Sequence, residues 1–235
     1  MTQEKKVYGS FHDIPPRDYM YFPKGSVEIE HPGRFSRIEI VHILISILVL
    51  TVAFSFWKGG GLVFGGSVYS AFSNIHFAFV GVLTGFVFHE ISHKFMAQKY
   101  GLWSEFRIYP VGIFLSLVLA VFTGVVFAAP GAVMFMGKSR VFETGRIAMA
   151  GPLANIVVTC VSFFIYFFVL SEGFLWEVFG FICFINALLA VFNLLPFGPL
   201  DGMKIIRWNV NVWIGMLIVS AVLTFFAFRY VLPVL

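Results

Sequence analysis

The chain has 235 residues, 59% of them hydrophobic and 12% charged, with a mean hydropathy of +0.90. That balance excludes a soluble globular domain and makes lipid the solvent for most of the chain. The formal net charge of +4 is too small to point to nucleic acid, and in a membrane protein it reports orientation instead.

Residues 1–37 are polar and carry Pro15, Pro16, Pro23 and Pro32, with no signal-peptide pattern. They read as a cytoplasmic N-terminal segment, in which SVEIE has strand character, and 38–235 reads as one membrane-embedded domain. Five apolar runs reach the roughly 20 residues that a bilayer crossing needs: about 39–57, 70–99, 147–170, 174–195 and 212–233. Lys and Arg mark cytoplasmic flanks. Lys5, Lys6, Arg17, Lys24, Arg34 and Arg37 precede the first run. Lys94, Lys99 and Arg107 end the second, and Lys138, Arg140 and Arg146 open the third. The loop near 171–177 holds Glu172 and Glu177 without a basic residue, as an outer loop should. Lys204 and Arg207 then close the fourth run. These flanks agree on one topology, with the N-terminus inside, provided that the apolar run 110–136 does not cross.

That run is too short to cross twice, and Pro110, Gly112, Gly124, Pro130 and Gly131 break it into pieces rich in Val, Ile and Phe. Such pieces favour strands, so a membrane re-entrant β-hairpin is expected over 110–136; a single crossing that breaks the charge rule is the alternative. Cys160 and Cys183 fall inside apolar runs and read as buried small hydrophobes, not a disulfide. The expected fold is an all-α polytopic membrane protein of five or six transmembrane helices, with that re-entrant hairpin.

The second run ends in HEISH, residues 89–93. On a helix, His89 and His93 share one face, about 6 Å apart along the axis. That spacing suits two imidazoles on one zinc ion, with Glu90 placed to act as a base on water. Ionisable groups in a span are costly, which favours function over a pair of helix-contact histidines. A zinc site needs a third protein ligand. Glu105 lies in a polar flank and Glu143 outside the third run, whereas Asp201 follows the Pro196 and Pro199 breaks in NLLPFGPLDG, residues 193–202. In a soluble protein an Asp-Gly there would simply cap a loop.

With these motifs the sequence resembles the site-2 protease family of intramembrane zinc metalloproteases. HEISH matches the family's HExxH. Asn193, Pro196, Pro199, Asp201 and Gly202 match its Asn-x-x-Pro-x-x-Pro-x-Asp-Gly element, and AGPLAN, residues 150–155, resembles the start of its middle core span. The resemblance covers a three-helix catalytic core, about 70–205. It implies one Zn2+ per chain on His89, His93 and Asp201, with Glu90 as general base. It also implies that Asn193 hydrogen-bonds the substrate backbone or the developing oxyanion, and that the substrate is a transmembrane helix. The active site would lie within the bilayer of the cell membrane, toward the cytoplasm. Two features depart from the family: no insert is long enough for a PDZ domain, and no cystathionine-β-synthase repeats follow the last span. The rival readings are a non-proteolytic membrane zinc protein, carrier or inactive scaffold, and another HExxH peptidase with a downstream Glu ligand.

Secondary positions carry smaller expectations. Gly81 with Gly85, and Ala150 with Ala154, have the spacing of close helix packing. His42 is expected to make a structural hydrogen bond. His76, about 20 Å along the helix from His89, belongs to the outer interface.

Overall fold

The chain divides into two units, Met1–His31 and Pro32–Leu235. The computed structural model describes residues 35–57, 60–126, 129–137, 139–198 and 200–231, all in the second unit. The expectations for residues 1–34, Lys138 and Pro199 lie outside the described residues.

Five helical segments are long and apolar enough to cross a membrane, which makes this a multi-pass membrane protein. The first, α1, spans Arg37–Trp57. The second combines α2 (Val68–Val82) and α3 (Phe88–Lys99), joined without a break by a π-helical turn at Leu83–Val87. After a short helix α4 (Pro110–Thr123) come α5 (Val141–Phe164), extended to Val169, and α6 (Phe174–Leu194). The eight-residue α7 (Asp201–Trp208) precedes α8 (Val210–Phe226), which runs on to Val231.

The middle of α6 is apolar except for Asn186, and Cys183, Phe184, Ile185, Ala187 and Ala190 are fully buried, as a central helix requires. Gly81 and Gly85 lie against it. A Cβ on Gly81 would meet the Phe181 ring at 3.0 Å, and one on Gly85 would meet Leu189 Cδ1 at 2.7 Å. The expected close packing on this face therefore exists, with α6 as its partner. His42 also behaves as expected, accepting from Ile108 N–H at 3.4 Å. His76, near the middle of α2, stacks on Phe174, the first residue of α6. Of the cysteines, Cys183 is buried as expected, but Cys160 is exposed on α5; both are free thiols.

The β-hairpin exists, but its boundaries differ from the expected 110–136. Strand β1 is Trp103–Ile108 and β2 is Gly131–Met136, antiparallel, with Trp103 opposite Met136 and Ile108 opposite Gly131. Between them α4 takes residues that strand propensity had assigned to β-structure. The breaker residues act as caps: Pro110 sits in the first turn, where its missing N–H costs nothing, and Gly124 ends the helix at φ 72°. A helix also satisfies its own backbone in apolar surroundings, which outweighs the β-propensity of Val, Ile and Phe. At 14 residues, α4 is about 21 Å long, short of the roughly 30 Å hydrocarbon core.

The charged residues of β1 have the composition of a polar flank but are buried. Glu105 and Arg107 form an ion pair. Burial pushes the Glu105 carboxyl above its ordinary pKa, with Arg107 opposing. Lys94 and Glu39, both fully buried, are bonded at 2.7 and 2.9 Å. Glu39 Oε1 also accepts from Phe106 N–H at 2.9 Å, and Lys94 Nζ donates to Ser104 O at 2.9 Å. One buried pair thus ties α1, α3 and β1 together.

Candidate metal centre and cleft

The metal-ligand candidates converge. His89 and His93 on α3 and Asp201 on α7 are all buried, with one ligand atom from each within 4.8 Å of the others. His89 Nε2 lies 3.0 Å from His93 Nε2, and Asp201 Oδ2 lies 2.9 Å from His93 Nε2 and 3.3 Å from His89 Nε2. A tetrahedral ion with ligand bonds of about 2.0–2.1 Å holds neighbouring ligand atoms about 3.3 Å apart, so the three atoms already have nearly that separation.

The ring nitrogens on the far side fix the protonation pattern. His93 Nδ1 lies 2.7 Å from Ile147 O, and His89 Nδ1 lies 2.6 Å from Asn155 Oδ1. Both partners only accept, so each Nδ1 carries the proton and each Nε2 presents a lone pair. The orientation of the Asn155 amide is set in turn, because its Nδ2 donates to Gly85 O at 2.8 Å and to Asn186 Oδ1 at 3.0 Å. Asn186 Nδ2 continues the chain to Ile182 O at 2.9 Å and Thr84 Oγ1 at 3.2 Å. In their neutral form the two rings therefore turn their Nε2 lone pairs, beside the Asp201 Oδ2, to one point. A cation is what that donor set fits.

Local sequence explains how the ligands arrive. The π turn at Leu83–Val87 directly precedes His89, and Asn155 reaches the Gly85 carbonyl within it. On α5, Gly151 leaves room for the ion: a Cβ there would lie 2.3 Å from His93 Nε2 and 2.6 Å from His89 Nε2. Beyond α6 the chain folds back sharply, and a Cβ on Gly202 would lie 2.2 Å from Leu194 O. That close approach brings Asp201 under the end of α6.

A cavity of about 80 Å³ opens on the centre. His89, Glu90, His93, Asn193, Asp201 and Lys204 line it, together with Gly131–Val133 and Phe135 of β2. All five predicted site residues are therefore brought together. Asn193 Nδ2 donates to Leu189 O at 3.0 Å, which leaves its second N–H uncommitted. The other acids considered from the sequence are elsewhere: Glu105 pairs with Arg107, and Glu143 caps α5 by accepting from Arg140 N–H at 2.7 Å. The sequence reading missed Asn155, Asn186, Gly151 and Lys204. Their signal was available for the two asparagines, since an amide inside an apolar helix needs a partner.

Glu90 meets the hairpin. Its Oε2 accepts from Val133 N–H at 3.0 Å. Opposing residues in an antiparallel pair alternate between bonding each other and pointing their N–H and C=O outward. Phe106 N–H reaches Glu39 and Val133 N–H reaches Glu90, so Phe106 and Val133 are an outward-pointing pair. The β1 edge is satisfied by Glu39, His42 and Lys94. The β2 edge faces the cavity, and among the described residues Glu90 is its one side-chain partner.

The chain is 40% identical to "Putative zinc metalloprotease MJ0611" of Methanocaldococcus jannaschii over 184 residues, 77% of this chain and 89% of that protein. It is 27% identical to "Putative zinc metalloprotease YwhC" of Bacillus subtilis, over 60% of this chain and 72% of that one. "Zinc metalloprotease MJ0392" of M. jannaschii is 28% identical over 55% of this chain and 33% of its own length. No protein-family model matches the chain, and no solved structure matches it.

Proposed function

The chain belongs to the zinc metalloprotease family of these relatives, and we propose that it is an intramembrane protease of the site-2 type. It hydrolyses peptide bonds within or near transmembrane segments of other membrane proteins, as in regulated intramembrane proteolysis. The observation that carries this reading is that one cavity holds the metal-ligand triad, Glu90 and an open strand edge.

His89, His93 and Asp201 would hold the zinc, which when bound would supply Lewis acidity and acidify water. Glu90 takes the proton from the attacking water and passes it to the leaving amine. Asn193 offers its free N–H to the oxyanion. An unwound stretch of substrate adds to β2 as a further strand, so that backbone hydrogen bonds hold it extended across the centre with little demand on side-chain sequence. A carbonyl of that strand takes the Val133 N–H, which frees Glu90 for its task. The N-terminus is cytoplasmic and the centre lies about 10–15 Å inside the cytoplasmic surface of the cell membrane, since Lys99 is ten residues beyond His89 on a continuous helix. The hairpin and α4 dip from that side and return.

Purified protein incubated with a panel of membrane-spanning peptides, with and without a zinc chelator, tests the reading. Glu90→Gln should retain zinc and lose cleavage, because Gln keeps an acceptor for Val133 N–H but cannot take the proton. Near-normal turnover in that variant would return the protein to the carrier or scaffold class, which needs no base beside the ligands.

A further inference from the structure

Of the polar side chains that line the cavity, Lys204 is the one that neither the motifs nor the proposed mechanism uses. It sits one turn along α7 from Asp201, and its Nζ lies 3.1 Å from Asp201 Oδ1. Asp201 turns its other oxygen, Oδ2, to the two histidines. The two oxygens of one carboxylate are thus separately engaged.

That division has a chemical consequence. A carboxylate with both oxygens free can give both to one cation. A catalytic zinc has three protein ligands and keeps a fourth position for water or substrate. A second oxygen from Asp201 would add a fifth ligand beside that water or substrate. We propose that Lys204 is a positioning residue that holds Oδ1 away from the metal, so that Asp201 contributes one oxygen and the centre stays four-coordinate, with its fourth place left to water or substrate. The proposal rests on the metal centre and the proteolytic reading above. An exposed pair three residues apart on a helix has little energetic weight. Here the Lys204 side chain is 38% exposed, but the Asp201 side chain is only 7% exposed and its Oδ2 already faces the histidines, so the role drawn is the orientation of the carboxylate and not a gain in stability.

The test replaces zinc by Co2+ in the purified full chain and compares visible absorption per bound ion in the wild type, Lys204→Met and Lys204→Arg. Four-coordinate Co2+ absorbs several-fold more strongly than five-coordinate Co2+. Lys204→Met should therefore show a several-fold weaker band at equal cobalt content, and Lys204→Arg, which can still donate to Oδ1, should keep the wild-type band. If Lys204→Met does not stay folded in detergent, Lys204→Leu makes the same comparison with a shorter chain that has no donor. An unchanged band per bound ion in the neutral variants overturns the proposal, including the case where occupancy alone falls, since a merely structural contact would do that. A wild-type protein that binds no cobalt would instead overturn the metal-centre reading itself.

Discussion

Gly151→Ala adds one methyl group to a helix interior and should abolish metal binding. Elsewhere the change would help, since Ala is favoured over Gly in a helix by about 1 kcal/mol. Here the following Pro152 pushes a Cβ-bearing residue away from helical geometry, which offsets that gain. The decisive effect is spatial. The new Cβ would lie 2.3 Å from His93 Nε2 and 2.6 Å from His89 Nε2. Zinc itself needs to lie about 2.0–2.1 Å from each nitrogen, so the methyl group and the ion compete for one volume. Ordinary contact begins near 3.4 Å, so His93 must retreat by about 1.1 Å (3.4 less 2.3). Ligand distances tolerate only about 0.2 Å. Losing an outer hydrogen bond to a ligand already costs about 10–100-fold in affinity, and moving the ligand itself should cost more than about 100-fold. Dialysis against a buffered chelator followed by metal analysis would read the loss. Thermal unfolding of both proteins in excess chelator would read separately what the clash with the two imidazoles costs the fold. One zinc per chain in Gly151→Ala, under conditions that keep zinc in the wild type, would refute this account of the centre.

Two further perturbations probe the support around it. Asn155→Ala removes the 2.6 Å partner of His89 Nδ1 and should weaken zinc binding about 10–100-fold in competition with a chromophoric chelator; unchanged affinity would remove Asn155 from the site. Glu39→Ala leaves buried Lys94 without its carboxylate and should destabilise the fold by about 3–5 kcal/mol, measured by denaturant unfolding in detergent. A loss below about 1 kcal/mol would mean that the pair does not pin α1.

The sequence made the membrane class and the site ligands legible for different reasons. The five spans follow from length and hydropathy alone, because lipid demands both. His89 and His93 follow from a spacing of four on a helix, and Asp201 from the motif around its broken helix. What stayed hidden depended on tertiary contact. Nothing local says that Asn155 faces His89 across 66 positions, or that a side chain on Gly151 would meet both imidazoles. The hairpin was legible in kind but not in place. Val, Ile and Phe suggested strands over 110–123, where Pro110 and Gly124 instead cap a helix. The actual first strand was passed over because Glu105 and Arg107 look like a solvated flank, whereas they are buried against each other.

The two edges of the hairpin show how a membrane protein can keep a strand open for use. An unpaired backbone group in apolar surroundings is costly, and an exposed edge invites pairing with any passing chain. The β1 edge answers with permanent partners: Glu39 takes Phe106 N–H, His42 takes Ile108 N–H, and Lys94 gives to Ser104 O. These come from α1 and α3, and the Lys94–Glu39 ion pair locks them. The β2 edge has Glu90, a residue whose proposed work is proton transfer. A strand arriving there would bring a carbonyl to Val133 N–H and displace Glu90 from it. The same event would place a peptide bond beside the metal ligands, which line the same cavity. Under the proposed function, the hydrogen bond that covers the edge at rest is broken at the moment the base is needed, so binding of an extended substrate and release of Glu90 become one step.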